Sequence, residues 1–178
     1  MSKTAPFDRA LASFPKLYHY IPPLPKTLKV GQKNVDVKSP RDTTLWLLET
    51  LAIDSKQSYC LQDQLQALVQ RCHPGMTKQR FSRLTTELHN EDFIVKSPHP
   101  SLDGPGRNNE LTLTRLGKRV LAAIKTERRK TVVSFFFKGL TQDQQSKLAD
   151  NLEVVAARTW EEIKKAIPDP TVKRRTRR

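Results

Sequence analysis

Apolar side chains recur at helical spacing in three consecutive stretches in the first half of the chain. The first stretch follows Pro40, has Asp42 as its predicted N-cap, and ends near residues 54–55. The second ends at residues 74–75, and the third begins at Thr77, which is suited to cap a helix. Their apolar faces are Leu45, Leu48, Leu51 and Ala52; then Leu61, Leu65, Leu68, Val69 and Cys72; then Phe81, Leu84 and Leu88. Three packed stripes of this kind predict a compact trihelical core.

Alternating apolar and polar positions, which are typical of strands, occur on either side of two turns. Residues 93–96 and 110–114 are predicted to form a hairpin around a loop at 97–109 that is rich in Pro, Gly and Arg. A smaller hairpin is predicted over residues 27–37, with its turn at 31–34. Helix, turn, helix and hairpin in this order describe a winged helix-turn-helix. The predicted fold class is therefore mostly α with a small β-hairpin wing (α+β).

Two long helices are predicted after the wing. Thr114 is the predicted N-cap of the first, which ends near Gly139, and Thr141 is the predicted N-cap of the second, which ends at Pro168. The apolar face of the second comprises Leu148, Leu152, Val155, Ala156 and Ile163. Because these faces exceed what the trihelical core can cover, we expect a homodimer. The predicted organisation is a proline-rich extension at 1–40, a winged helix-turn-helix domain at 41–117, a helical dimerisation region at 118–168 and a basic tail at 169–178.

The charge of the chain indicates a partner. The 178 residues carry a formal net charge of +14, and residues 1–40, residues 101–130 and the last eight residues contribute +5 each. A positive excess around a predicted reading helix and wing is typical of nucleic-acid binding, and a solubilising surface is the alternative. No apolar run approaches the roughly 18–20 residues that span a bilayer. With no apolar signal region at the N-terminus and only two cysteines, we expect a reduced cytoplasmic, nucleoid-associated protein without a membrane partner.

The third helix and the wing supply residues suited to reading double-stranded DNA. The first two turns of that helix carry Thr77, Lys78, Gln79, Arg80, Ser82 and Arg83. Lysine or arginine at these positions can donate to guanine O6 and N7, and glutamine can pair with adenine. Arg107 at the loop tip is predicted to enter a minor groove, whereas Lys96 and Arg115 are predicted phosphate contacts. The alternatives are a solvated helix face and an unconstrained loop arginine.

Other chemistry is not indicated. The chain has no Ser/His/Asp set, phosphate-binding glycine loop or paired carboxylates in a catalytic context, so we do not expect an enzyme. The four histidines lack the spacing of a zinc site, and neither a metal nor a cofactor is expected. Cys60 and Cys72 are interpreted as buried, inert thiols. The basic residues of the first long helix are interpreted as solvating it: Lys118, Arg119, Arg128, Arg129 and Lys130.

Several segments within residues 42–166 resemble the MarR family of bacterial and archaeal winged-helix transcription regulators. MTKQRFSRL at 76–84 and LHNEDFIV at 88–95 are similar to its recognition helix and first wing strand. LDGPGR at 102–107 resembles its wing tip, and LTLTRLG at 111–117 resembles its second wing strand running into a helix. GLTQDQ at 139–144, followed by Leu148 and Leu152, is similar to the start of its last dimerisation helix.

The resemblance implies a homodimeric, sequence-specific transcription regulator with the helix beginning at Thr77 in a major groove and Arg107 in a minor groove. Some members of the family sense oxidants through a cysteine. Two departures stand out: four prolines lie between residues 15 and 25, in the family's first helix, and Asp92 stands where the family often has glycine. The prolines remove the family's basis for an effector pocket, so a small-molecule effector is possible but unsupported. The alternative function is a winged-helix architectural, replication or partition protein, or a protein–protein adaptor.

Overall fold

The computed structural model describes residues 25–99 and 109–165. Within these ranges the helices are α1 (Arg41–Asp54), α2 (Gln62–Cys72), α3 (Lys78–Asn90), α4 (Arg115–Val132) and α5 (Gln142–Lys164). The strands are β1 (Thr27–Val30), β2 (Lys33–Asp36), β3 (Cys60–Leu61), β4 (Ile94–Pro98) and β5 (Asn109–Leu113). The predicted wing tip, the proline-rich residues before 25 and the basic tail lie outside the described residues. None of the helices in the two described ranges is long and apolar enough to cross a membrane.

Helix α1 lies at the centre of the core. Four consecutive side chains, from Leu45 to Leu48, are buried, so the helix is covered on all sides rather than along one stripe. It contacts α2 and α4 as well as strands β3 and β5. The predicted face of Leu45, Leu48, Leu51 and Ala52 is buried. Trp46 and Leu47 extend the buried surface beyond that prediction because neighbouring elements surround this helix.

The first turn of α1 corrects one prediction, since Asp42 does not cap the helix. The N-cap position is Pro40, whose carbonyl accepts hydrogen bonds from the backbone N–H and the hydroxyl of Thr44 at 2.9 and 2.8 Å. Asp42 lies one residue inside the helix and is buried, and its Oδ2 accepts from Nη2 of Arg128 on α4 at 2.6 Å. The Asp42 carboxylate therefore pairs with Arg128, which is distant in sequence, instead of capping the start of α1.

Helices α2 and α3 form the helix-turn-helix that the sequence predicts. Helix α2 ends at Cys72, just before Pro74, and α3 begins after Thr77. The Thr77 hydroxyl accepts from the backbone N–H of Arg80 at 3.2 Å, which confirms the predicted cap. The predicted core face of α3 is confirmed: Phe81, Leu84 and Leu88 are buried.

The winged domain contains a three-stranded antiparallel sheet in the order β3-β5-β4. Strands β4 and β5 form the predicted wing hairpin, in which Val95 pairs with Thr112. Strand β3 was not predicted, because Leu61 was assigned to the second helix. Its backbone is instead extended and pairs with Glu110. Two residues are too short to show alternation, so this strand depends on the edge of β5 rather than on a local pattern.

The wing and α4 meet at a tightly bonded junction. Phe93 O accepts from the backbone N–H of Thr114 at 3.1 Å, and the Thr114 hydroxyl donates to Asp92 O. That hydroxyl also accepts from the backbone N–H of Gly117 at 2.9 Å, which confirms the predicted cap of α4. Asp92 has φ of 60°, a left-handed conformation that favours glycine. The backbone conformation thus agrees with the glycine that the MarR family often has at this position.

The smaller hairpin is also confirmed, with a shorter turn than predicted. Val30 pairs with Lys33, so the turn consists of residues 31–32 rather than 31–34. Gly31 has φ of 64°, which suits a two-residue hairpin turn. Leu28 and Val35 are buried in the same core as α1, and β1 packs against α4. This hairpin is thus part of the winged core.

Both C-terminal helices begin where predicted, and the first ends near the predicted position, whereas the predicted end of the second at Pro168 lies outside the described residues. The buried face of α5 differs from the predicted one. A π-helical turn at Val133–Phe137 follows α4, and Gly139 has φ of 82°. Thr141 and Gln144 form a reciprocal capping box at the start of α5. Among the α5 side chains that the structure describes, those of Ala149, Ala156 and Trp160 are buried. Ile163, also predicted on this face, is not among the described side chains. Val155 was predicted on this face but is 49% exposed, because it lies about 100° around the helix from Ala156.

Candidate nucleic-acid interface

The outer face of α3 carries the polar residues that the sequence singled out. With about 100° between successive residues of a helix, positions 79, 82, 83 and 86 lie opposite the core positions 81, 84 and 88, and position 78 lies at the edge of this outer face. The side chains of Lys78, Gln79, Ser82 and Arg83 are exposed, and so is that of Thr86. The helix therefore presents a continuous polar surface over its first two turns, which is the part that a DNA-reading helix inserts into the groove.

The donors on this face differ in how far the protein already uses them. Among the described residues, the side chains of Lys78, Gln79 and Arg83 have no hydrogen-bond or ion-pair partner. Arg80 lies on the flank of α3, where its Nη1 donates to Gly75 O in the preceding turn at 3.2 Å. The Thr86 hydroxyl donates to Ser82 O at 2.9 Å. Lys78, Gln79 and Arg83 are thus the residues that can accept a partner without first breaking an internal bond.

Lys96 lies behind α3 rather than on its outer face. Its ammonium donates to the hydroxyl of Thr85 at 3.2 Å, and Thr85 is on the buried side of α3. Burial lowers the pKa of Lys96, because desolvation disfavours the charged form. The bond joins the first wing strand, β4, to α3. A phosphate contact by Lys96 stays a prediction, and it would require this bond to open.

The two remaining predicted contacts belong to the wing and the start of α4. Arg115 is exposed at the first position of α4, directly after the Thr114 cap. Arg107 lies outside the described residues. At the base of the wing, Asn109 Nδ2 donates to Gln62 Oε1 at 2.9 Å, and the ring of His99 lies edge-on to that of Tyr59. The base of the wing is thus bonded to the winged core through side chains on α2 and just before β3.

Charged residues behind α3 were missed by sequence reasoning. Arg41 at the start of α1 binds Glu91 and lies 3.9 Å from Glu87, both on the C-terminal half of α3 or just after it. Arg128 was interpreted as solvating α4, and this is wrong, since its side chain is 1% exposed and pairs with Asp42. A signal for Arg128 existed, because the four-residue spacing of Val120 and Ile124 continues at this position. The same signal existed for Arg41, which lies four residues before Leu45 on the predicted apolar face of α1.

A surface cleft of about 560 Å³ lies beside α3, between the helix-turn-helix turn and the start of α1. Its lining includes Met76, Arg80 and Arg83.

Cys72 also lines this cleft, and burial raises the pKa of its thiol to about 11. Cys60 is buried in the core, and burial raises the pKa of its thiol to about 12. Both thiols are therefore almost fully protonated near neutral pH. No group of three or more potential metal ligands occurs in the part of the chain that the structure describes.

Comparison with known proteins gives the following. No protein-family model matches the sequence. No curated protein matches it either. Among solved structures, the chain is similar to an uncharacterized SlyA-like transcription regulator from Listeria monocytogenes, with 16% sequence identity and a TM-score of 0.48. The similarity covers 95% of this chain and 99% of that one. The function proposed below rests on the geometry of α3 and the elements around it.

Proposed function

We propose that this protein is a sequence-specific double-stranded DNA-binding transcription regulator that acts as a homodimer. The observation that carries the proposal is the outer face of α3, where Lys78, Gln79 and Arg83 present donors that the described part of the protein leaves without partners. They project from a capped helix inside a winged helix-turn-helix, in a chain with a net charge of +14. A helix with such a face fits a major groove and can donate to base edges there.

The roles of individual residues follow from their positions. Lys78 and Arg83 would donate to guanine O6 and N7, and Gln79 would pair with adenine, each discriminating by about 1–3 kcal/mol. Arg80 would join them after exchanging its bond to Gly75 O for a bond to DNA. Thr77 and Ser82 would contact phosphate or base edges from the first two turns of α3. These contacts would set which sequence the protein prefers.

Positioning on the duplex would come from elements beside α3. Arg115 at the start of α4 would contact phosphate, and so would Lys96 once its bond to Thr85 opens. Arg107 would enter the adjacent minor groove from the wing. Contacts of this kind add affinity on any sequence and make binding dependent on salt. They would therefore hold α3 in register without choosing the site.

Dimerisation would be provided by the long C-terminal helices. Val154 and Val155 on α5 are both about half exposed, and they form an apolar patch on the side of this helix that faces away from its buried side chains. A second copy of the chain would cover it. Two copies related by a twofold axis would place two α3 helices in successive major grooves, so the site would be pseudo-palindromic with half-sites about 10 bp apart.

The test compares Arg83→Ala with Lys33→Ala, which also removes one positive charge, from an exposed position on β2. A preferred duplex is first selected from a random library, and affinity is then measured for that duplex and for a scrambled one by fluorescence anisotropy. We expect Arg83→Ala to weaken binding to the selected duplex roughly 5- to 150-fold, with a much smaller loss on the scrambled duplex. Lys33→Ala should change both affinities slightly and equally.

Four outcomes would contradict the proposal or a part of it. An equal loss on both duplexes with Arg83→Ala would mean that α3 does not read bases, as expected of an architectural protein. Failure of the library to enrich any sequence would lead to the same conclusion. Absence of duplex binding at low salt would leave the adaptor alternative. A monomer at micromolar concentration by analytical ultracentrifugation would refute the homodimer separately.

A further inference from the structure

Three consecutive residues in the first turn of α1 each bond to a different part of the winged domain. Arg41 binds Glu91 at the end of α3. Asp42 accepts from Arg128 on α4 at 2.6 Å. Thr43 shares a hydrogen bond of 3.1 Å with Nε2 of His73, in the turn between α2 and α3. The first turn of α1 thus contacts the turn before α3, the residue directly after α3, and α4. We call residues 41–43 the α1 joint.

Arg41 neutralises an unfavourable arrangement of charge on α3. Glu87 lies in the last turn of that helix, and Glu91 is its C-cap residue, where carboxylates oppose the helix dipole. The guanidinium of Arg41 lies against both carboxylates and 5.9 Å from the centre of the Phe93 ring. Its side chain is only 10% exposed, so the contact is weakly screened. The end of α3 is therefore held where Arg41 can reach it.

The pair of Asp42 and Arg128 is buried almost completely, at 2% and 1% side-chain exposure. Burying two charges costs desolvation energy that their attraction only partly offsets, so apolar residues of similar volume often stabilise a fold as well or better. A buried ion pair instead restricts how two helices are oriented, because its hydrogen bonds form in only one geometry. The Thr43 hydroxyl adds a donor to Asp42 at 3.2 Å. The pair therefore fixes the position of α1 against α4.

We propose that Arg41, Asp42 and Arg128 are positioning residues that set the placement of α3 relative to α4. Helix α4 leads through the π-helical turn to α5, so a displacement of the C-terminal helices would reach the recognition helix through the α1 joint. The consequence for DNA rests on the function proposed above. The proposed placement of α3 does not depend on that function, because the placement is a property of the protein without DNA.

The experiment uses the full chain with the double substitution Asp42→Leu and Arg128→Met, which replaces the buried pair with apolar side chains of similar volume. The matched control is Lys125→Met, which removes the ion pair between Lys125 and Glu49, another α4–α1 contact but a more exposed one. Thermal unfolding, amide hydrogen exchange over residues 78–90 without DNA, and the ratio of specific to non-specific DNA affinity are measured for each protein.

We expect the double variant to melt close to the unmodified protein, while amide exchange over residues 78–90 becomes faster and the affinity ratio falls about tenfold. Lys125→Met should leave both readouts unchanged. A double variant with unchanged exchange and an unchanged ratio would overturn the proposal, because the pair would then be replaceable by packing alone. Equal effects in the control would also overturn it.

Arg41→Gln is the second variant, and it answers the question if the double variant fails to fold. It leaves Asp42 and Arg128 in place and should speed exchange in the last turn of α3, with less effect on α2. Unchanged exchange there would overturn the role of Arg41. If the unmodified protein binds no duplex at all, the function proposed above fails, whereas the exchange measurements still decide whether the α1 joint positions α3.

Discussion

Gly117 is the position where adding a single methyl group has the clearest expected consequence. A Cβ atom there would lie 1.9 Å from Phe93 O, 2.9 Å from Phe93 C and 3.2 Å from Phe93 Cα. Side-chain carbons are not found this close to backbone atoms, and the contact is with the main chain rather than with a flexible side chain. Gly117→Ala therefore forces the start of α4 away from the residue that opens the wing.

The size of the effect follows from the bonds at this junction. Phe93 O accepts from the Thr114 N–H at 3.1 Å, and the Thr114 hydroxyl donates to Asp92 O across the same junction. Separating the two segments by about an ångström weakens both bonds, at about 1 kcal/mol each. Overpacking adds about 1–3 kcal/mol. We expect Gly117→Ala to lower the free energy of unfolding by about 3–5 kcal/mol.

Urea unfolding followed by circular dichroism measures this change, and Gly75→Ala is the matched control. A Cβ at Gly75 would meet no atom within 4 Å. The free energy of unfolding of Gly75→Ala should therefore remain within about 0.5 kcal/mol of that of the unmodified protein. If Gly117→Ala proved as mild as Gly75→Ala, the close approach of α4 to Phe93 would not exist in solution. The geometry assigned to the base of the wing would then be wrong.

Three further predictions concern single positions. Asp92→Gly should stabilise the protein by about 0.5 kcal/mol in urea unfolding, because it relieves a left-handed residue; a loss above about 1 kcal/mol would mean that the Asp92 side chain makes a needed contact. Thr77→Ala should cost about 1 kcal/mol through loss of the α3 cap, whereas Thr77→Ser should restore the stability; equal losses would contradict the capping role. At pH 8, iodoacetamide should alkylate Cys72 about 100-fold and Cys60 about 1000-fold more slowly than an ordinary thiol of pKa 9.0, with rates that increase as the pH rises. Mass spectrometry would refute the last prediction if both alkylated as fast as in the urea-unfolded chain.

The parts of the fold that could be predicted from sequence depend on neighbours within a few residues. Thr77 and Thr114 were predicted as caps, and both accept the expected backbone N–H three residues later. The buried positions of α3 were predicted because helical spacing records which face is apolar. The candidate reading face followed directly, since the exposed positions of a helix are those that the core does not use. In each case the residues that determine the structure lie within one or two helical turns of one another in the sequence.

The parts that could not be predicted depend on elements distant in the chain. Leu61 is extended because β5 offers an edge about fifty residues later, and no local pattern records that pairing. Val155 and Ala156 are adjacent and both apolar, yet only Ala156 is buried. The choice depends on the space beside α5, which the periodicity of the sequence does not record. Exposure of Val155 leaves an apolar surface on α5, which is the feature that a second copy of the chain would cover.

Asp42 and Arg128 show why two failures of local rules can have one cause. An aspartate near the start of a helix often caps it or faces solvent there, and an arginine on a long helix is normally solvated. Each residue violates its own rule because it is the partner of the other, 86 positions away, and neither can be buried alone without a large desolvation cost. Sequences break local rules most often where function needs a defined geometry. The only interior pair of this kind in the described residues lies beside Arg41, which binds the end of α3. We therefore expect the geometry that α1 imposes on the recognition helix, rather than stability, to be what keeps two charges inside this core.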